Sequence, residues 1–311
     1  MGVFLSVRAI VLSYRKRLAS ILDLLRKGAH PFGRKYIPNT VSLTTRIKRM
    51  RISFVASSRP DAQSALGQFT DRYGQSDPSA ADCIVAIGGD GTTLRALHAT
   101  LGPGAKPVFA MRMGTSVGFL ANPLRFNDLE PRLEKAVRYS FHPLRIRTET
   151  TSGIRKSVLT INDATFVRQT RLTAKLLVSV DGTECGGVFV GDGVLISTPL
   201  GSTAYNRSAG GPVLPLNAGI LALTGIAAYG ARPWANTALD DSSVVTVDVM
   251  APAWRPVRLE TDVDELSDIA RAEATLARDV ICTLLFDANP ILKARPFVES
   301  AGCAPHGDGG K

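Results

Sequence analysis

Apolar positions between residues 50 and 143 fall into short continuous runs separated by stretches of helical period. Arg51-Ile-Ser-Phe-Val-Ala56 predicts a first buried strand at Ile52–Ala56. Helical spacing follows over Asp61–Tyr73, with Pro60 and Asp61 as start signals. Cys83–Ile87 reads as a fully apolar strand, Thr93–Thr100 as a helix and Pro107–Met111 as a third strand. A glycine loop, Gly114–Gly118, and a helix over Asn127–Arg138 complete this part. Strands alternating with helices predict an α/β domain with a parallel sheet over residues 50–143.

Beyond about residue 143 the pattern shortens. Arg145–Thr151, Ser157–Ile161, Leu172–Val180, Gly187–Val190, Val194–Ser197, Val244–Val249 and Val280–Phe286 are brief β-rich runs, with Asp181-Gly182 as a hairpin turn. Asn217–Ala228 reads as a helix. The prediction is a β-rich second domain over residues 144–286. Residues 287–311 form a tail whose Gly-rich end, Gly307–Lys311, is expected to lack order.

Charge changes the picture only at the start of the chain. The 37 Lys/Arg and 27 Asp/Glu leave +10, but residues 1–49 hold eleven basic side chains against Asp23, so 26 of each sign remain afterwards. The part with strand and helix patterning has no overall bias toward a polyanion, which argues against a general nucleic-acid binder. Residues 1–49 read as a basic extension outside the core fold, with Met50 as the bland alternative start. Their Arg-rich, acid-poor composition also fits a transit peptide, and Met1-Gly-Val-Phe-Leu-Ser6 fits a loose myristoylation pattern. The longest apolar stretches, such as Ile220–Tyr229, are too short to span a bilayer. Cys83, Cys185, Cys282 and Cys303 show neither C-x-x-C nor ligand spacing with histidine, so no metal site is expected, and a cytoplasmic location is. His98 reads as a helix-surface or packing residue.

Two segments carry chemistry. In Cys83-Ile-Val-Ala-Ile-Gly-Gly-Asp-Gly-Thr-Thr-Leu94 a buried strand runs into Gly88-Gly89, where bare backbone admits close approach. Thr92 or Thr93 is expected to cap the helix that follows, leaving N–H groups and the positive dipole end toward the loop. That geometry suits a phosphate. Asp90 would be repelled by one unless it takes a proton or binds a metal, which suggests phosphoryl transfer; a turn or capping role is the alternative. The second segment runs from Gly191-Asp192 through Thr198-Pro-Leu-Gly-Ser-Thr-Ala-Tyr205 to Gly210-Gly211. Its small residues permit backbone approach, its hydroxyls offer hydrogen bonds, Tyr205 offers a flat face for a base, and Asp192 an acceptor.

Together, Gly88–Thr92 and Thr198–Tyr205, with Asn162-Asp163 and Gly118-Phe-Leu120 between them, resemble the NAD kinase family over Met50 to about Phe297. The first motif is shared with lipid kinases and phosphofructokinases; the two in order are specific. The resemblance implies a two-domain architecture with the site in the cleft, a tail folding back on the first domain, and a homodimer or homotetramer. It implies ATP and NAD as ligands, with the 2′-hydroxyl of the adenosine ribose attacking the γ-phosphate and Mg²⁺ accompanying ATP. By position Asp90 would be the base, and Gly91, Leu94 and Phe119 would line the NAD pocket. Asn162 and Asp163 would hold ribose or base, and Asp192 the nicotinamide side. Thr203, Ala204, Tyr205, Asn206, Arg207 and Ser208 would surround the adenosine, while Gly88, Gly89 and Thr92 would contact the phosphates.

Four places depart from the family pattern. Asp163 replaces a usual glutamate, Leu200 stands where a small or hydroxylated residue is common, and Val190 replaces a residue that is basic in some members. Arg112 stands near a common Asn, in front of a Gly114–Gly118 segment one residue longer than usual. Arg168, Arg171 and Lys175 read as a solvated strand face, and Asp240-Asp241, Asp262 and Asp264 as loop acids, with Asp262 able to approach the cleft. The rival readings are a lipid kinase with its basic leader on a membrane, and a non-catalytic NAD(P)-binding regulator.

Overall fold

The computed structural model describes residues 50–113, 120–230 and 234–288. The first part of the chain runs β1 (Ile52–Ala56), α1 (Pro60–Tyr73), β2 (Cys83–Gly88), α2 (Asp90–His98), β3 (Val108–Arg112), β4 (Asn122–Pro123), α3 (Leu129–Lys135) and β5 (Val137–Phe141). Pro60 pre-sets the first turn of α1, Asp61 complements its dipole, and Gly74, at φ +80°, ends it. One face of α1 buries Ala62, Ala65 and Phe69, and the Phe69 ring stacks on Phe54 and Phe126 at 5.7 and 5.0 Å. β1, β2 and β3 pair in parallel, with β2 central and every residue buried. Helices on a sheet of this kind cover both faces, which is why its central strand β2 is apolar throughout.

The strand-rich part begins with β6 (Leu144–Thr150), β7 (Arg155–Thr160), β8 (Asp163–Arg168), β9 (Ala174–Val180), β10 (Thr183–Gly191) and β11 (Gly193–Ser197). A 3₁₀ turn at Gly201–Thr203 and the short helix α4 (Tyr205–Ser208) follow. Then come β12 (Ile220–Ile226), β13 (Thr237–Asp240), β14 (Val245–Val249), β15 (Val257–Glu260), β16 (Glu265–Leu266) and β17 (Ile269–Leu276). These make two antiparallel sheets, ordered β10-β9-β14-β17-β6-β7 and β13-β12-β11-β8-β15-β16. Alternate residues of each, such as Val245 and Val247 in one and Val257 and Leu259 in the other, fill one shared core. Asp181 and Gly182, both at positive φ, turn the β9–β10 hairpin as expected.

Three differences from the sequence reading have physical causes. Ile220–Ile226 is a strand, not a helix: it lies between β11 and β13, buried over Leu221–Gly225, and its nearly continuous apolar run gives no period to separate the two structures. The helix expected to reach Arg138 stops at Lys135, because Ala136 turns extended (ψ 138°) and Val137–Phe141 becomes an edge strand. The last strand, β18 (Cys282–Phe286), does not join the β-rich part. It returns to the first sheet, parallel to β3 and antiparallel to β5. The tail beyond residue 288 and the basic extension lie outside the described residues.

Candidate active site

The loop after β2 is built by glycine. A Cβ on Gly88 would come within 2.5 Å of the Thr92 hydroxyl, so the chain folds back over this position only because the side chain is absent. The α2 cap is Gly89 and the helix already starts at Asp90, earlier than the expected Thr92 or Thr93 cap. Thr92 and Thr93 lie buried inside the first turn; Thr93 Oγ1 donates to the Gly89 carbonyl at 3.2 Å, and Thr92 Oγ1 accepts from Arg95 Nη2 at 3.4 Å. A glycine cap offers no side-chain acceptor to the first turn, which keeps anion-binding character there. Asp90, half-buried, accepts the Leu120 backbone N–H at 3.2 Å, tying the loop to the chain that enters β4. Gly91 is exposed, whereas Leu94 turns inward. Phe119 lies outside the described residues.

The second segment packs against the Asn162 turn backbone to backbone. Thr198 N–H donates to the Asn162 carbonyl at 2.9 Å and Thr198 Oγ1 to the Ile161 carbonyl at 2.7 Å. A side chain on Gly201 would run into the Asn162 backbone, with Cα 2.7 Å away. This Thr198–Gly201 loop is therefore moulded on Asn162. Leu200, the departure from the family pattern, fills an apolar cluster with Leu94, Leu97, Leu120, Ile161 and Cys282, so its bulk joins the two parts of the fold under both loops.

Not every expected ligand residue faces outward. Asn206 is fully buried: its amide donates to the Ser202 and Pro212 carbonyls and accepts from Thr224 Oγ1, so it holds the loop together. Ala204, Tyr205, Arg207 and Ser208 are exposed around it, and Thr203 is half-buried. Asn162 is the opposite case. Its Oδ1 is buried without a hydrogen-bond partner, an acceptor that a ligand amine or hydroxyl can satisfy.

The electrostatics are acidic. The Tyr205 hydroxyl is raised above its usual range, first by burial and then by the negative charges of Glu260, Asp192 and Asp163. Asp192 takes the Arg168 guanidinium at 2.5 Å, with both side chains still part-exposed. Glu260 takes Arg258 at 2.5 Å. Burial, then Asp262, push the Asp163 carboxyl up to about 7; the Thr165 hydroxyl at 3.3 Å opposes them and Glu260 adds to the rise. Asp262, expected as a loop acid able to approach the cleft, lies beside the Asn162 turn, whereas Glu260 gave no local signal; the β8–β15 pairing brings both toward Asp163 from almost 100 residues away.

A pH effect follows from Asp163. An aspartate in an unfolded chain ionises near 3.9. Between there and about 7 the folded protein keeps a proton that the unfolded chain has lost, so this group lowers stability as pH rises through that window, and its effect levels off above it. Asp163→Asn is expected to remove this part of the slope. Urea midpoints of both proteins across the window check it; parallel curves would refute the raised carboxyl.

The ATP-NAD kinase N-terminal domain matches residues 26–141 and the ATP-NAD kinase C-terminal domain residues 161–231. An NAD kinase of Zymomonas mobilis is 42% identical over 250 residues, covering 80% of this chain and 96% of that protein. An NAD kinase of Hyphomonas neptunium is 41% identical, covering 79% and 96%. The chain belongs to the NAD kinase family. Membership makes it a phosphotransferase. The first domain match starts at residue 26, inside the segment read as an extension. The fold agrees with a yeast NADH kinase solved with NADH (TM-score 0.70, 19% identity, 84% of this chain and 90% of that one). It also agrees with an Archaeoglobus fulgidus NAD kinase solved with ATP (TM-score 0.65, 21% identity, 82% and 100%).

Proposed function

We propose that the protein transfers the γ-phosphoryl group of ATP to the 2′-hydroxyl of the adenosine ribose of NAD, with Asp90 as base. The hydroxyl oxygen forms a bond to the γ-phosphorus, the bond to the bridging oxygen of ADP breaks, and the Asp90 carboxylate takes the hydroxyl proton. Positioning and charge neutralisation supply most of what this reaction needs. The uncapped first turn of α2, with Gly88 and Gly89 before it, is the phosphate side. Tyr205, 44% exposed, gives the adenine a stacking face. The observation that carries the reading is the buried, unpartnered Asn162 Oδ1 beside a loop moulded on its backbone, which fits an amine or hydroxyl donor of a nucleoside.

Among the described residues no three His, Cys, Asp or Glu side chains converge into a metal cage. A divalent ion such as Mg²⁺ would enter with ATP and neutralise charge on the triphosphate. A cytoplasmic homodimer or homotetramer belongs to the same reading, and among the described residues no helix is long and apolar enough to cross a membrane.

The test is a coupled assay of the full chain with NAD, ATP and Mg²⁺. NADP and ADP are expected in equal amounts. Folded protein that binds NAD yet forms no NADP would support a non-catalytic regulator, and phosphorylation of diacylglycerol but not NAD would support a lipid kinase; either result overturns the proposal.

A further inference from the structure

A buried contact between an imidazole and a carboxylate joins the two parts of the fold, and neither motif accounts for it. His98 is the last residue of α2, and Asp262 sits in the turn between β15 and β16. His98 Nε2 lies 3.0 Å from Asp262 Oδ2, with the two side chains 11% and 4% exposed. A carboxylate only accepts, so Nε2 carries the donated hydrogen. The same carboxylate accepts the backbone N–H groups of Ile161 and, at 3.1 Å, Asn162. Asp262 N–H in turn donates to Thr160 Oγ1 at 3.3 Å, and that hydroxyl donates to the Asp163 carbonyl at 2.7 Å.

Every residue of the 160–163 turn is thus held by Asp262 or through it. A carboxylate this buried is stable only when its oxygens are filled by donors, and two successive backbone N–H groups plus an imidazole fill them. The imidazole is the part that comes from the other side of the junction. Helix α2 carries Asp90 at its first residue and His98 at its last, about 12 Å apart along the axis at a rise of 1.5 Å per residue. One rigid rod ends in the phosphate loop at one end and grips the Asn162 turn, through Asp262, at the other.

We propose that His98 and Asp262 are positioning residues, a clamp that fixes Asn162 and Asp163 relative to the helix that begins with Asp90. The reaction it serves rests on the NAD kinase reading, whereas the clamp rests on the geometry above. Without the imidazole one donor to Asp262 is lost and the turn is free to shift, so dinucleotide binding is expected to suffer while ATP binding at the other end of α2 does not.

The full chain, His98→Ala, His98→Gln and Asp262→Asn are compared by melting temperature, kcat, KM for NAD and for ATP, and hydrogen exchange at the Ile161 and Asn162 amides. His98→Ala is expected to raise KM for NAD about tenfold, the loss of a little over 1 kcal/mol in binding, with KM for ATP within about twofold. Its Ile161 and Asn162 amides should exchange faster. His98→Gln, whose amide can still donate to Asp262, should restore most of both. An unchanged KM for NAD in folded His98→Ala, equal rises in both KM values, or a folded His98→Gln that rescues nothing overturns the clamp. If His98→Ala does not fold, His98→Gln and Asp262→Asn decide: faster amide exchange and a selective rise in KM for NAD in Asp262→Asn support it, and their absence overturns it. Should the parent protein form no NADP, the function reading fails by itself, and the exchange rates still judge the clamp.

Discussion

Replacing Asp90 by asparagine is expected to cut kcat by about 10²–10⁴-fold, the usual contribution of a positioned general base. The substitution keeps the shape of the side chain and its acceptor for the Leu120 N–H, so the loop geometry should survive. What it removes is the ability to take a proton. It also removes a negative charge from the phosphate side of α2, so ATP affinity should hold or rise, which separates lost chemistry from lost binding. NADP formation gives the rate, calorimetry with NAD and with ATP gives the affinities, and the melting curve shows that the fold is intact. Turnover within a few-fold of the parent would remove Asp90 from the base role. A parallel loss of NAD affinity and turnover would make it a binding residue.

The parts of the site that can be read from the sequence are those made locally. Gly88-Gly-Asp-Gly-Thr92 announces a turn without side chains followed by a helix, although the cap falls on Gly89 and not on the expected Thr92 or Thr93. Thr198–Tyr205 is legible for the same reason, though not its internal division of labour: Asn206 looks like its exposed neighbours in sequence and faces inward because Thr224 and Pro212 claim its amide. His98 and Asp262 are 164 residues apart and only folding joins them, so the sequence leaves one as a helix-surface or packing residue and the other as a loop acid able to approach the cleft, without pairing them. The fold divides likewise. Alternating strands and helices in the first part have distinct periods, but β12 is buried along most of its length and loses the alternation that identifies a half-exposed strand. The place of β18 depends on long-range pairing, which no local pattern encodes.

That returning strand is secured where it ends, and Arg132→Met is expected to destabilise the protein by about 3–5 kcal/mol. Arg132, in α3, is buried with only 7% of its side chain exposed. Its guanidinium meets both Asp287 oxygens, Nε to Oδ1 and Nη2 to Oδ2, each at 2.9 Å, and lies over the Phe109 ring 5.0 Å from its centre. Nη2 also donates to the Pro123 carbonyl at 2.9 Å. Asp287 follows β18 directly; its N–H donates to Asn122 Oδ1, and the Asn122 amide donates to the Ala110 and Leu285 carbonyls. One residue thus ties α3, β3, β4 and the end of β18 together. Methionine can fill much of the space but leaves the Asp287 carboxylate, 15% exposed, without its cation. The loss would be a large part of the roughly 5–15 kcal/mol by which domains are ordinarily stable. The double variant Arg132→Met with Asp287→Leu removes the stranded charge as well and should recover much of the deficit, since a buried ion pair is costly mainly when half of it is missing. Urea midpoints at constant slope measure all three proteins. A single variant within about 1 kcal/mol of the parent, or a double variant no better than the single, would mean that β18 is held by its strand pairing and not by this pair.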